Sequence, residues 1–212
     1  MKSEVHLIDC MEFMRSVPDK FYSLAVVDPP YGIGISSNPV RQMHSKKEWD
    51  NSIPSERYFI ELFRVSKNQI VWGGNYFGLP ASQGFLIWDK KQPEDFSLAM
   101  CEYAWSSFQS PAKMLRLSVQ SEQNKIHPTQ KPVALYDWIF RNYAKPNDAI
   151  LDTHMGSQSS RISAYKAGLD FTGCELDPEY FEQGNHRFNE FLKKYGTPDP
   201  TKAIHGQQIN LF

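Results

Sequence analysis

Residues 149–181 read AILDTHMGSQSSRISAYKAGLDFTGCELDPEYF. The apolar run AILDT ends on small and polar residues, a helical segment follows over 157–167, and Gly168 stops it. A second apolar run, FTGCEL over 171–176, then meets Asp177 and Pro178, which open another helix. Strand, turn, helix and strand in this order make one unit of a parallel sheet.

The same alternation extends toward the N-terminus. EVHLI (4–8) is a short strand closed by Asp9, residues 10–17 allow one or two helical turns, and SLAVV (23–27) is a buried-type strand with Asp28 at its carboxyl end. Ser55 is an N-cap candidate before Tyr58, Phe59, Leu62 and Phe63 at helical spacing. QIVWGG (69–74), FLIWDK (85–90) and EYAWSS (102–107) read as strands, with Trp72, Trp88 and Trp105 in the core. Pro132 opens a helix striped by Tyr136, Ile139, Phe140 and Tyr143. The expectation is an α/β fold, a doubly wound, mostly parallel sheet of about seven strands with short irregular insertions. Residues 1–200 form a single domain, and 201–212 an extended C-terminal tail.

The totals narrow the class. A chain of 212 residues with 41% hydrophobic content supports one substantial core. It contains no run long enough to cross a bilayer, and MKSEVHLIDC lacks a secretory pattern, so a cytoplasmic protein is expected, bacterial or in a host cytoplasm if viral. Three scattered cysteines fit reduced thiols, and six histidines without ligand spacing give no support for a metal. A net charge of −1 leaves nucleic-acid binding open, since positive charge can be confined to one face.

In a doubly wound sheet ligands bind beyond the carboxyl ends of the strands, where Asp9, Asp28, Asp152 and Glu175 or Asp177 all fall. Glu175 lies about twenty residues after Gly156, the spacing of an acid that bonds ribose hydroxyls. GxGxxG is missing, so a dinucleotide is not expected. An acid-rimmed pocket suits a positively charged nucleoside such as S-adenosylmethionine. Taken alone, residues 149–181 fit such a site or ordinary strand-turn-helix packing equally well.

Four motifs in order decide between these. DPPYG (28–32), HPTQKP (127–132), LDTHMGS (151–157) and GCELDPEYF (173–181) resemble the β-class DNA amino-methyltransferases, in which the catalytic segment precedes the cofactor segment. The resemblance implies a Rossmann-like methyltransferase fold, with a catalytic half over 1–107 and a cofactor half over 127–195. It also implies a site-specific DNA adenine N6-methyltransferase using S-adenosylmethionine, in the setting of DNA methylation and restriction-modification. Asp28 matches the catalytic acid and is also expected to contact the cofactor, Pro29 supplies a carbonyl, Pro30 shapes the loop and Tyr31 stacks on a flipped base. Asp152, Thr153, His154, Gly156 and Ser157 match the methionine-side cofactor loop, Glu175 the ribose acid, and Asp9 an acid near the adenine of the cofactor. Thr129 and Lys131 belong to the segment closing over the methionine end.

The chemistry wants such groups. An exocyclic amine is a poor nucleophile because its lone pair is delocalised into the ring; accepting its hydrogens on a carboxylate and a carbonyl favours attack on a methyl donor. The base must leave the duplex to be reached. Double-stranded DNA is the implied partner. The insertions 32–54, with Arg41, Lys46 and Lys47, and 108–126, in a basic run with Lys113, Arg116, Lys125 and Lys131, are candidates for recognition and phosphate contact. A small enzyme can need a second copy to grip a full site, which makes a homodimer a candidate assembly. QINLF (208–212) resembles a sliding-clamp docking peptide, through Gln208, Leu211 and Phe212.

One departure stands out. The family pattern Asp-Pro-Phe-x-Gly-Ser-Gly-Thr is here Asp152, Thr153, His154, Met155, Gly156, Ser157, Gln158, Ser159, without the Pro-Phe pair and the second glycine. His154 is the candidate to replace the aromatic contact. The alternatives are a DNA cytosine N4-methyltransferase, which the first-position Asp disfavours against Ser, and a catalytically inactive DNA- or clamp-binding relative.

Overall fold

The computed structural model describes residues 1–34, 50, 52–95, 99–122, 125–127 and 129–196. Most of the 32–54 insertion, including Arg41, Lys46 and Lys47, and the tail with Gln208, Leu211 and Phe212 lie outside them.

Strand alternation divides the core into two layers. In β2 (Tyr22–Val27), Leu24 and Val26 enter one hydrophobic cluster while Ala25 and Val27 enter the other. Ile70 and Trp72 of β3 (Ser66–Trp72) repeat the pattern against Val71, as does Ile150 of β7 (Ala149–Asp152) against Leu151. Central parallel strands read as continuous apolar runs because both faces are covered. On one face lie α1 (Cys10–Arg15) and α2 (Glu56–Val65), which insert Met14, Tyr58, Phe59, Leu62 and Val65. On the other lie α3 (Val133–Tyr143) and α4 (Ser159–Lys166), with Leu135, Tyr136, Ile139, Phe140 and Ala164. Full burial of a side chain such as Phe140 or Ile139 contributes roughly 2 kcal/mol before entropy is counted. Trp72, Trp88 and Trp105 are all buried.

The remaining strands are β1 (Ser3–Leu7), β4 (Phe85–Asp89), β5 (Cys101–Ser106), β6 (Lys113–Arg116) and β8 (Asp170–Glu175). Together they make a sheet in the order β1-β8-β7-β2-β3-β5-β4-β6. Pairing is parallel from β1 through β3, and β5 runs antiparallel to both β3 and β4. A last helix, α5 (Pro178–Tyr195), is capped by Asp177, whose side chain accepts from the amides of Glu179 and Tyr180.

The expected seven strands become eight among the described residues. β6 lies inside the 108–126 stretch read as irregular and pairs in parallel with β4. Its sequence, KMLR, has no core-facing alternation; as an edge strand it takes its hydrogen bonds from one neighbour, and Leu115 alone of the four packs on the core.

The strand order positions the site. Successive connections leave β2 toward β3 through α2 on one face and leave β7 toward β8 through α4 on the other, so the sheet switches direction between β2 and β7. A crevice opens at such a switch, beyond the carboxyl ends of the strands. The segments after β2 and β7 are therefore neighbours although they are far apart in sequence. Among the described residues no helix is long and apolar enough to cross a membrane, and no group of three or more His, Cys, Asp or Glu could hold a metal ion.

Candidate active site

The crevice is a cavity of about 1660 Å³. Its walls bring together Asp9, Asp28, Pro29, Pro30, Tyr31, Thr129, Lys131, Thr153, His154, Gly156, Ser157 and Glu175. Of the site residues expected from the sequence, Asp152 alone does not line it.

At the β2 end the chain turns through Asp28, Pro29 and Pro30, which leave few amide hydrogens to satisfy. The amides of Tyr31 and Gly32 donate to Asp50 Oδ1 at 2.8 and 3.0 Å and fix the direction of exit. Both Asp28 oxygens are in use. Oδ1 accepts from the Tyr31 hydroxyl at 2.6 Å, and Oδ2 accepts from Lys131 Nζ at 2.5 Å. The Tyr31 ring stacks on Tyr76, with centroids 5.0 Å apart and planes 15° apart, and meets Phe77 edge-on. Gly73 makes this approach available: its φ is +68°, and a Cβ there would sit 2.2 Å from Tyr31 Cε1.

Lys131 stands between two acids. Its Nζ also forms an ion pair with Glu102 Oε2 at 3.1 Å, while Lys90 Nζ is 2.6 Å from Glu102 Oε1. Asp28, Lys131, Glu102 and Lys90 thus alternate in sign. Burial pushes the Asp28 carboxyl up from its ordinary value, against the pull of Lys131. Burial acts likewise on Glu102, but the Lys131 and Lys90 ammoniums outweigh it and hold that carboxyl at about 2. Burial alone would favour neutral Lys131, yet Asp28 and Glu102 raise its pKa and keep it protonated. The grouping of Lys131 with residues suited to phosphate is therefore corrected: its side chain is only 3% exposed and its charge is spent inside the cavity. Lys113 bonds Asn142 Oδ1 and Arg116 pairs with Asp89, so these two also have protein partners.

At the β7 end a tight loop forms the opposite wall. Gly156 has φ +45°, and its amide donates to Glu175 Oε2 at 2.9 Å. Glu175 Oε1 accepts from the amides of Leu176 and Asp177, so one carboxylate ties two loops together. Asp152 sits beneath, 1% exposed, accepting from His154 N at 3.0 Å and Ser160 Oγ at 2.6 Å. With no cation among these partners, burial pushes its carboxyl up to about 7. His154 is held neutral, its pKa lowered to about 4 by burial. Its ring lies edge-on to Tyr58, and its Nδ1 meets Thr153 Oγ1 at 2.9 Å. His127, with Thr129 Oγ1 on its Nδ1, covers the loop: a Cβ on Gly156 would lie 3.6 Å from the imidazole.

The missing second glycine has a local answer. Gln158 stands at that position and keeps the left-handed backbone a glycine would adopt, with φ +59°. For a non-glycine residue this costs on the order of 1–2 kcal/mol. Its buried side chain supplies compensation: Oε1 accepts from Arg161 Nη1 at 2.8 Å, and Nε2 donates to Phe181 O and Asn185 Oδ1, both at 3.3 Å. Gly184 leaves room for it, since a Cβ there would come within 2.7 Å of the Gln158 side chain.

A family model described as DNA methylase, covering N6 and N4 amino-methyltransferases, matches residues 71–186. The chain belongs to this DNA methylase family. The methylase is 25% identical to the type II methyltransferase M1.MboII of Moraxella bovis, across 89% of this chain and 97% of that protein. Two solved structures share its fold. One is M1.HpyAVI in complex with S-adenosylmethionine, with a TM-score of 0.60, 18% identity and coverage of 88% of this chain and 98% of that one. The other is the cytosine-N4-specific PvuII DNA methyltransferase, with a TM-score of 0.63, 16% identity and 92% of each chain covered.

Three residues lining the methylase site, and a buried one behind it, escaped the sequence reading. Glu102 and Lys90 lie at the adjoining ends of β5 and β4, brought side by side by antiparallel pairing. The available signal was an acid entering an otherwise apolar strand. Tyr58 reaches the β7 loop through its hydroxyl, 2.7 Å from Thr153 Oγ1, and was read as helix stripe only. Tyr76 gave no signal beyond being an aromatic after Gly73 and Gly74.

Proposed function

We propose that this methylase transfers a methyl group from S-adenosylmethionine to the N6 amine of an adenine turned out of double-stranded DNA. The observation that carries this reading is that Asp28 and the loop around Gly156 face one cavity. S-Adenosylmethionine supplies an electrophilic methyl on a sulfonium.

The donor set fits such a positively charged nucleoside. Asp9 uses Oδ1 for the amides of Met11 and Glu12, and its Oδ2 accepts no hydrogen bond among the described residues. Glu175 Oε2 accepts one amide and has a lone pair to spare. These carboxylates, with His154, Gly156, Ser157 and Thr129, would hold the nucleoside and its methionine arm. Favourable charge comes from the acids, and the neutral imidazole of His154 adds no repulsion.

Asp28 and the Pro29 carbonyl accept the two hydrogens of the target amine, move its nitrogen toward tetrahedral geometry and so withdraw its lone pair from conjugation with the ring. The positive charge that grows on nitrogen is then stabilised by the carboxylate. As the carbon–nitrogen bond forms, the sulfur–methyl bond would break and its electron pair would stay on sulfur as a neutral thioether; the nitrogen then gives up one proton, and a carboxylate whose pKa is raised by burial is the better acceptor for it. Pro30 and the Asp50 contacts hold this geometry, and Tyr31 supplies an aromatic face to the base. Asp rather than Ser at the first motif position supports adenine. Similarity to a type II methyltransferase supports a place in restriction-modification.

The test is mass spectrometry of nucleosides from DNA incubated with the methylase and S-adenosylmethionine. N6-methyladenine from the wild type and none from Asp28→Ala is the expected result. N4-methylcytosine alone would reassign the target to cytosine. No modified nucleoside, with no heat of S-adenosylmethionine binding by calorimetry, would overturn the reading in favour of a non-catalytic relative.

A further inference from the structure

Resting on that reading, the ion pairs at the β2 end raise a problem of their own. A target amine must reach Asp28, yet each of its oxygens already has a partner, Oδ1 the Tyr31 hydroxyl and Oδ2 the Lys131 ammonium, and keeps only one further lone pair. Lys131 also opposes the chemistry where it stands. An ammonium in contact with Asp28 offsets the negative charge that should stabilise a cationic nitrogen. Simple release of Lys131 is no remedy, because its side chain is 3% exposed and an unpaired buried ammonium is costly. A second anion is within reach. Glu102 lines the same cavity, and its buried Oε2 is 3.1 Å from the same Nζ with no other partner among the described residues.

We propose that Glu102 is a positioning residue that receives Lys131 from Asp28 when the target amine arrives. The ammonium, already paired with both carboxylates, tips toward Glu102 and gives up Asp28, so it is never left without an anion. Asp28 Oδ2 is then relieved of the ammonium, and the cation lies farther from the nitrogen on which charge develops. Lys90 anchors Glu102 through Oε1 and leaves Oε2 for the exchange. In the base-free state the same arrangement keeps the Asp28 charge paired and the cavity ordered. No atom is transferred between protein groups in this step; only the partner of one ammonium changes.

Three variants test it by single-turnover methyl transfer at saturating DNA and S-adenosylmethionine. Glu102→Gln removes the receiving charge, and the transfer rate should fall about 30-fold while the affinities for both substrates stay within about twofold. Glu102→Asp should recover much of the loss. The double variant Lys131→Met/Glu102→Gln, which has no ammonium to move, should return to within about tenfold of wild type and faster than Glu102→Gln alone. The exchange is overturned if Glu102→Gln transfers at the wild-type rate, if its loss follows lost cofactor binding or a lowered melting temperature, or if the double variant is as slow as the single. Wild-type transfer and its loss in Asp28→Ala test the parent reading separately; a wild type that transfers no methyl overturns both.

Discussion

Asp28 and Asp152 stand at the carboxyl ends of neighbouring parallel strands, and the protein uses them in opposite ways. Asp28 faces the cavity and is held by a hydroxyl and an ammonium, in a row of four alternating charges. Asp152 faces inward and is held by a hydroxyl and one amide. The first environment stores a charge beside open space. The second fixes the base of a loop and makes the charge unwelcome, with the carboxyl pushed up to about 7. Strand-end position brings an acid to the rim, and the nature of its partners decides whether it serves chemistry or architecture.

The sharpest way to break this comparison is to neutralise each acid. Asp28→Asn should lower methyl transfer by about 10³-fold, with S-adenosylmethionine binding nearly unchanged in calorimetry. Asp152→Asn should instead act on stability. The folded carboxyl titrates near 7 and the unfolded one near about 3.9, so the native state binds the extra proton between these values. Wild-type stability from this group therefore falls as pH rises from about 4 to 7 and is level above. Relative to wild type, the asparagine variant should gain up to about 4 kcal/mol at pH 8 and nothing at pH 4, read from denaturant melts.

The comparison also sorts what was legible. Strand-end acids, the proline pair after β2 and the glycine turn after β7 announce themselves, because backbone rules restrict which residues can stand there. The partner of a charge does not. Lys131 read as one of a basic run and as part of the segment over the methionine end, but not as the partner of Asp28, since the carboxylates that claim it come from β5 and from the turn after β2. β6 was missed because its pairing with β4, and not its own pattern, makes it a strand. Gln158 looked like a loss of the loop, yet its backbone keeps the left-handed turn and its side chain is tied to α5.

Smaller effects refine the β7 side. Gln158→Gly relieves backbone strain but deletes three hydrogen bonds and opens a gap beside Gly184, so a net destabilisation of about 2 kcal/mol is expected in melts. His154→Phe exchanges a neutral ring for another and should change S-adenosylmethionine affinity less than about threefold. A much larger loss would mean that the imidazole nitrogen, not the ring, holds the ligand.

The most direct measurement is a crystal structure with sinefungin, which carries an amine where the sulfonium methyl would be. Its nucleoside should lie between Asp9 and Glu175, its methionine arm along the Gly156 loop, and its amine should point across the cavity at Asp28. Sinefungin bound elsewhere, or seated with that amine directed away from Asp28, would contradict the convergence of the two strand ends on one reaction.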